Sequence, residues 1–240
     1  MEVSNKISVI GLGYIGLPTA AMFASCGFEV VGVDVNSKIV EIVNQGAIHI
    51  AEPDLESLVR DEVNNGNLRA SLVPEESDVF IIAVPTPFCK EKNSSGVPEP
   101  DLNYIKAAVK SIAPNLKAGD LVILESTSPV GTTEWISELL AEHRTDLSFP
   151  QMSGDESDIR IAYCPERVLP GNILKELVTN DRVIGGLTDK CSDKTVTLYK
   201  NFVSGKCFTT NSRTAEMSKL TENSCRDVQI AFANELSVIC

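Results

Sequence analysis

The sequence has no apolar run approaching the roughly 20 residues a helix needs to cross a bilayer, so no membrane-spanning segment is expected. It also has no Cys-x-x-Cys pair. Its seven cysteines (Cys26, Cys89, Cys164, Cys191, Cys207, Cys225 and Cys240) are scattered and odd in number. That pattern argues against a disulfide framework or a zinc site and favours a reducing cytoplasm. Basic residues are in deficit, 21 against 33 acidic, for a formal net charge of −12. Such a balance speaks against a broad nucleic-acid footprint and against docking on anionic membrane. An anionic small molecule is still compatible with it, because a few arginines and helix N-termini can reverse the field inside a cleft. The polar stretch Met1 to Lys6 runs directly into a strand, so no signal peptide is expected. No internal repeat is visible.

What is present suits one large domain, or one domain and part of another: 240 residues, 43% of them hydrophobic. Apolar strands alternate with helical patterns. Ile7–Ile10, Glu29–Val33, Val79–Val84 and Leu121–Leu124 read as buried strands, with Ile159–Tyr163 after them. Helices are expected at about 15–25, 53–63 (Glu52 and Asp54 favouring its start) and 101–113, with another after Thr132. Continuous apolar strands separated by helices predict an α/β fold, a Rossmann-like doubly wound parallel sheet covered on both faces. Residues 146–157 and 89–100 read as polar loops. From Arg213 to Cys240 there is neither Pro nor Gly, and the whole stretch reads as one long helix. Because this helix is still running at Cys240, the expectation is a piece of a longer protein, with residues 1–210 a nucleotide-binding domain and 211–240 the start of a central helical one.

Gly11-Leu12-Gly13-Tyr14-Ile15-Gly16 follows the first strand and opens the first helix. In such a turn Gly11 permits the tight bend, Gly13 lets backbone approach a pyrophosphate, and Gly16 allows close helix–strand packing. The helix start adds unpaired N–H groups and a positive dipole end. Asp34 ends the second strand 23 positions after Gly11, where a carboxylate accepts both ribose hydroxyls and repels the extra phosphate of NADP. NAD is therefore the expected cofactor, against the alternative of a glycine-tolerant turn beside a solvated aspartate. Val84-Pro85-Thr86-Pro87 and Ser126–Thr133 follow two further strands. Their prolines and threonines suit fixed hydrogen bonds to nicotinamide, ribose or a water, or equally turn chemistry and helix capping.

Glu166-Arg167 stands between prolines after a strand. Arg167 could fork onto a phosphate and Glu166 could hold a water or act as a base, or the two could be an ion pair. On the long helix Lys219, Asn223 and Arg226 share one face at i, i+4 and i+7. That stripe suits an anionic or polyhydroxy ligand, or is a solvated face with Glu222 paired to Arg226. Cys225 and Cys240 read as packing thiols.

Taken together, residues 11–20, 83–88, 123–133, 162–171, 180–186 and 210–236 resemble the UDP-glucose/GDP-mannose dehydrogenase family, from end to end and in order. The Glu-Ser-Thr-Ser-Pro and Glu-Arg-Val-Leu-Pro-Gly stretches favour its UDP-N-acetyl-D-mannosamine branch over its UDP-glucose branch. The resemblance implies a cytoplasmic oxidoreductase for polysaccharide biosynthesis that oxidises a UDP-sugar C6 alcohol twice, with two NAD and a cysteine thioester. By motif it implies Tyr14, Ile15, Asp34, Thr86 and Thr133 at NAD. Arg167, Val168, Lys219, Asn223 and Arg226 would hold the nucleotide sugar, Lys219 would act in catalysis, and Thr127 and Glu166 would lie near the hydrolytic water. It also implies a homodimer through the long helix. The family's Gly-Gly-x-Cys nucleophile segment and its C-terminal UDP-binding domain have no counterpart in these residues. A non-catalytic NAD-binding dimerisation module is the alternative from another class.

Overall fold

The computed structural model describes residues 6–92 and 96–240. In chain order the elements are β1 (Lys6–Ile10), α1 (Gly16–Ser25), β2 (Glu29–Val33), α2 (Ser37–Asn44), α3 (Leu55–Asn64), β3 (Leu68–Ser71), β4 (Val79–Ile82), β5 (Phe88–Lys92), β6 (Pro98–Pro100) and α4 (Asn103–Ile112). There follow β7 (Leu121–Leu124), α5 (Thr132–His143), α6 (Pro150–Ser153), β8 (Arg160–Tyr163), α7 (Ile173–Thr179), β9 (Arg182–Gly186), α8 (Asp189–Tyr199), β10 (Cys207–Asn211) and α9 (Ser212–Ile239).

Eight strands form one sheet in the order β10-β9-β8-β7-β4-β1-β2-β3. The chain leaves β1 towards β2 and β3, then crosses back to β4 on β1's other side. That reversal opens a crevice beyond the carboxyl ends of β1 and β4, where open α/β sheets take their ligands. Alternation along each strand splits the core between the two faces. Ile7, Val9, Val30, Val79, Ile81 and Ile123 pack with α1, α3 and α8. Ile10, Val31, Val33, Phe80, Ile82 and Leu124 pack with α4 and α5. Burial on both faces is why these strands read as unbroken apolar runs.

The expected fold class holds, with local differences. The sheet is not parallel throughout, because β9 pairs antiparallel with β8 while β10 runs parallel to β9. Short β3, only half apolar, carried no signal of its own. Within the segment expected as a loop, β5 and β6 pair antiparallel, Phe88 opposite Pro100 and Lys92 opposite Pro98; residues 93–95 of that segment lie outside the described residues. The second expected loop contains α6. Glu52 does not serve α3, whose N-cap is Asp54. Its buried carboxylate instead accepts N–H groups of Gly171 (2.8 Å) and Ile173 (2.7 Å) at the start of α7.

The two inner glycines of the first turn predict opposite behaviour. A Cβ on Gly16 would lie 1.8 Å from the Gly11 carbonyl oxygen, whereas one on Gly13 meets nothing within 4 Å. Gly16→Ala is expected to cost at least ~1–3 kcal/mol and Gly13→Ala less than about 0.5 kcal/mol, read from urea midpoints. At the β3 edge Arg69 forks onto Glu75 at 2.7 and 2.5 Å, holding that carboxyl down at about 2. A carboxyl with a depressed folded-state pKa stabilises above its unfolded pKa and loses that contribution as pH falls towards 2. Glu75→Gln is therefore expected to lower stability at neutral pH and to flatten the acid limb of a stability-versus-pH curve between about pH 5 and 2.

Candidate cofactor and substrate clefts

β1 ends at Gly11, whose φ of +96° is open to glycine and strained for other residues. A Cβ there would stand 2.7 Å from the Ala83 carbonyl oxygen. The turn thus lies against the end of β4, and its open side, at Gly13, faces a cleft of about 690 Å³. The N-cap of α1, Ile15, has no side-chain cap, so the first-turn N–H groups are available to an anion. Asp34, at the end of β2, accepts the Leu12 N–H at 3.0 Å and the Asn36 N–H at 2.9 Å. These bonds hold the carboxylate against the glycine turn, in the wall of the same cleft. Tyr14, Ile15, Thr86, Ser126 and Thr127 complete the polar and first-turn lining. The far ends of β4 and β7 are laced together there. Thr86 Oγ1 donates to the Thr127 carbonyl (2.6 Å) and Ser126 Oγ to the Val84 carbonyl (2.7 Å).

A second cleft, of about 660 Å³, lies between the segment after β8 and helix α9. Lys219, Asn223 and Arg226 all face it, together with Arg167, Asp181 and Glu222. Neither bland pairing considered for these residues forms. Arg167 Nη1 bonds Glu222 at 2.7 Å, rather than the neighbouring Glu166, and donates through Nη2 to the Asp181 carbonyl. Glu222 is thereby engaged across the cleft. Lys219 and Val168 line both clefts and form their common wall. The Lys219 ammonium donates to the Glu166 backbone carbonyl. Burial pushes it below the ordinary lysine range, opposed by Glu222 and reinforced by Arg226 and Arg167.

Beneath this wall is a charged cluster that no sequence motif announced. The Glu166 carboxylate is ion-paired with Arg182, and both side chains are less than 5% exposed. The Arg182 guanidinium stacks 4.7 Å from the Tyr199 ring centroid and donates to the Leu177 carbonyl at 3.1 Å. Glu125, in the wall of the first cleft, accepts Tyr199 OH at 2.5 Å and Thr19 Oγ1 at 3.3 Å. Burial raises the Glu125 carboxyl above its usual range despite Arg182 nearby, and pushes the Cys164 thiol up to about 12. Glu125 follows β7 and Arg182 opens β9, and neither is singled out in the sequence. The one available signal was that both are charged residues at the ends of apolar strands.

Thr133 stands apart from the other expected cofactor contacts. It is fully buried, and its N–H (2.8 Å) and hydroxyl (2.6 Å) are both spent on Oε1 of Glu216. It is not among the residues lining the first cleft, whereas Thr127 is. Cys225 and Cys240 are exposed rather than packed, and Cys225 edges the second cleft. No helix among the described residues is long and apolar enough to cross a membrane, and no group of three or more His, Cys, Asp or Glu among them could hold a metal ion.

Comparison with known proteins agrees with this geometry. Residues 5–203 match the NAD binding domain of the UDP-glucose/GDP-mannose dehydrogenase family, and residues 213–240 match its central domain. A UDP-N-acetyl-D-mannosamine dehydrogenase of Campylobacter jejuni is 61% identical over the whole chain and 58% of its own length. An NDP-N-acetyl-D-galactosaminuronic acid dehydrogenase of Ralstonia nicotianae is 62% identical over 98% of this chain and 54% of its own. The solved UDP-D-ManNAc dehydrogenase of Pyrococcus horikoshii superposes with a TM-score of 0.88 at 43% identity, covering 98% of this chain and 53% of that one. The chain therefore spans little more than half the length of the relatives it matches. On its match across both domains, it belongs to the UDP-glucose/GDP-mannose dehydrogenase family.

Proposed function

We propose that this chain is the cofactor- and sugar-binding part of an NAD-dependent UDP-sugar 6-dehydrogenase acting on UDP-N-acetyl-D-mannosamine. The observation that carries the reading is the common wall. Lys219 and Val168 face both the cleft below the glycine turn and the cleft along α9, so a dinucleotide in one and a nucleotide sugar in the other meet at the lysine.

The first cleft fits a dinucleotide by its own features. There is open space above Gly13, an uncapped helix start, and a carboxylate anchored to the turn's own backbone. NAD bound there supplies the hydride acceptor for oxidation of the C6 alcohol. Gly11, Gly13 and Gly16 shape the turn, while Tyr14 and Ile15 offer their N–H groups to the diphosphate. Asp34 takes the adenosine ribose hydroxyls with the oxygen lone pairs not already used, and Thr86 and Thr127 face the nicotinamide end. Thr133 has no part in this assignment, since its polar groups are engaged elsewhere. In the second cleft Arg167, Asn223 and Arg226 hold the anionic nucleotide, with Val168 against the sugar. Lys219, its proton affinity lowered by burial, takes the C6 hydroxyl proton at Nζ or steadies the developing alkoxide as an ammonium. Glu166, ion-paired with Arg182, serves as an acceptor for the water of the later hydrolytic step, beside the Thr127 hydroxyl. No Gly-Gly-x-Cys segment occurs in the 240 residues, so the thioester chemistry of a four-electron oxidation is not assigned to this chain.

A relative named for an N-acetylgalactosaminuronic acid at 62% identity supports a second reading, in which the sugar is N-acetylated but of galacto configuration. UDP-glucose is a third candidate sugar, and comparing the three UDP-sugars as ligands discriminates among these readings.

Calorimetry on the 240-residue chain is expected to show NAD binding, with NADP at least tenfold weaker. Asp34→Ala should weaken NAD by about 10–100-fold, the worth of hydrogen bonds to a charged acceptor. Gly13→Ala should weaken NAD while leaving the urea midpoint in place. Absence of heat with millimolar NAD on folded protein would sink the proposal. Arg226→Ala is expected to weaken UDP-N-acetyl-D-mannosamine at least tenfold and leave NAD unaffected. Formation of two NADH and one uronic acid per UDP-sugar by this chain alone would overturn the view that a further nucleophile is required for the four-electron oxidation.

A further inference from the structure

α9 rests on the sheet domain through only two turns. Its buried residues are Ser212, Ala215 and Glu216, and Lys219 next along the stripe is half-buried. These positions follow one another at i, i+3, i+4 and i+7, a single helix face. From Thr221 onward the helix is exposed on every side. Ala215 sits over Gly185 of β9, where an added Cβ would come within 2.7 Å of the Ala215 methyl, so the helix lies flush on that strand.

Glu216 is the polar element of this footing, and it is fully buried. Oε1 accepts the N–H and hydroxyl of Thr133, at 2.8 and 2.6 Å, and Oε2 accepts the Gly131 N–H at 2.6 Å. All three donors stand at the start of α5, whose N-cap, Gly131, has no side chain to cap with. The carboxylate of one helix therefore closes the N-terminus of another, with the dipole of α5 and charge-assisted bonds both favouring it. Anion sites at helix starts usually meet ligands; this one is filled from within. One turn further along α9, Lys219 reaches the Glu166 carbonyl at the wall between the clefts. The segment bound by Glu216 is continuous with Ser126 and Thr127 in the first cleft.

We propose that Glu216 is a positioning residue for Lys219. Tied to the start of α5, it sets the rotation and height of α9 and so delivers the lysine to the junction of the two clefts, with Asn223 and Arg226 following on the same face. The inference rests on the proposed function for the meaning of that junction, though not for its geometry.

Glu216→Gln keeps the shape of the side chain but turns an amide NH2 towards backbone donors, breaking one side of the anchor. The test measures three quantities on the 240-residue chain, wild type and variant: the Kd for NAD, the Kd for UDP-N-acetyl-D-mannosamine, and the pH profile with which an amine-reactive sulfonate reagent labels Lys219, located by peptide mass mapping. Glu222 and Arg226 on α9 and Arg167 and Glu166 on the segment after β8 face this amine and are the same in both proteins. Glu216→Gln is expected to weaken the UDP-sugar about tenfold, to leave NAD within about twofold, and to move the Lys219 profile up towards an ordinary lysine. A lower urea midpoint with UDP-sugar affinity and Lys219 profile unchanged would reduce Glu216 to a structural cap and overturn the proposal. Should Glu216→Gln fail to fold, Thr133→Val, which removes one donor at nearly constant shape, replaces it. The same direction of change in the Lys219 profile, restored by Thr133→Ser, supports the proposal, and no change defeats it. If the wild-type chain takes up no UDP-sugar, the functional reading falls, while the labelling comparison still decides the role of Glu216.

Discussion

A guanidinium buried beneath both clefts holds the functional part of the molecule together. Arg182 begins β9 with its side chain 2% exposed, paired with Glu166, stacked on Tyr199 and within the field of Glu125. Burying such a charge is costly, and the ion pair and stacked ring offset the cost. Losing either member of the pair would leave an uncompensated ion in the core, so the loop carrying Glu166, Arg167 and Val168 has one acceptable place. The antiparallel turn of β9 against β8 is what brings Arg182 under that loop. Glu52 secures the same loop from its other end by accepting the N–H groups of Gly171 and Ile173. The segment is thus pinned at both sides by buried carboxylates, which is how an irregular stretch can present an arginine and a hydrophobic wall with a fixed aim.

Glu166 faces Arg182 directly, while Glu125, buried and bonded by two hydroxyls, is raised above the usual carboxylate range by its burial. Cys164, in the same enclosure, is kept a thiol by burial. A buried, thiol-form cysteine is a poor nucleophile, in keeping with a structural role for it. Lys219, by contrast, stands at the rim, partly desolvated and held below the ordinary lysine range, in the wall of both clefts.

Much of this was legible in the residues in order. The glycine turn, the carboxylate at the end of the second strand and the stripe Lys219–Asn223–Arg226 are local patterns, set by a φ angle, a strand length and a helical period, and each lies where its pattern placed it. The pairings were not legible. Arg167 reads as the partner of its neighbour Glu166, yet it binds Glu222, 55 positions away, while Glu166 binds Arg182. Thr133 sits in a stretch whose first residues, Ser126 and Thr127, line the first cleft. At the second residue of α5, its hydroxyl donates to Glu216 on α9.

The chain by itself determined the fold class, the glycine turn, the carboxylate at the end of the second strand and the cationic helix face, because backbone sterics and side-chain periodicity act over a few residues. Only the tertiary structure decided which charges neutralise one another, that two clefts share one lysine wall, and which threonine lines the first cleft. Those outcomes depend on distances between segments far apart in sequence, fixed by the crossing order of the strands and by the pairing of buried charges.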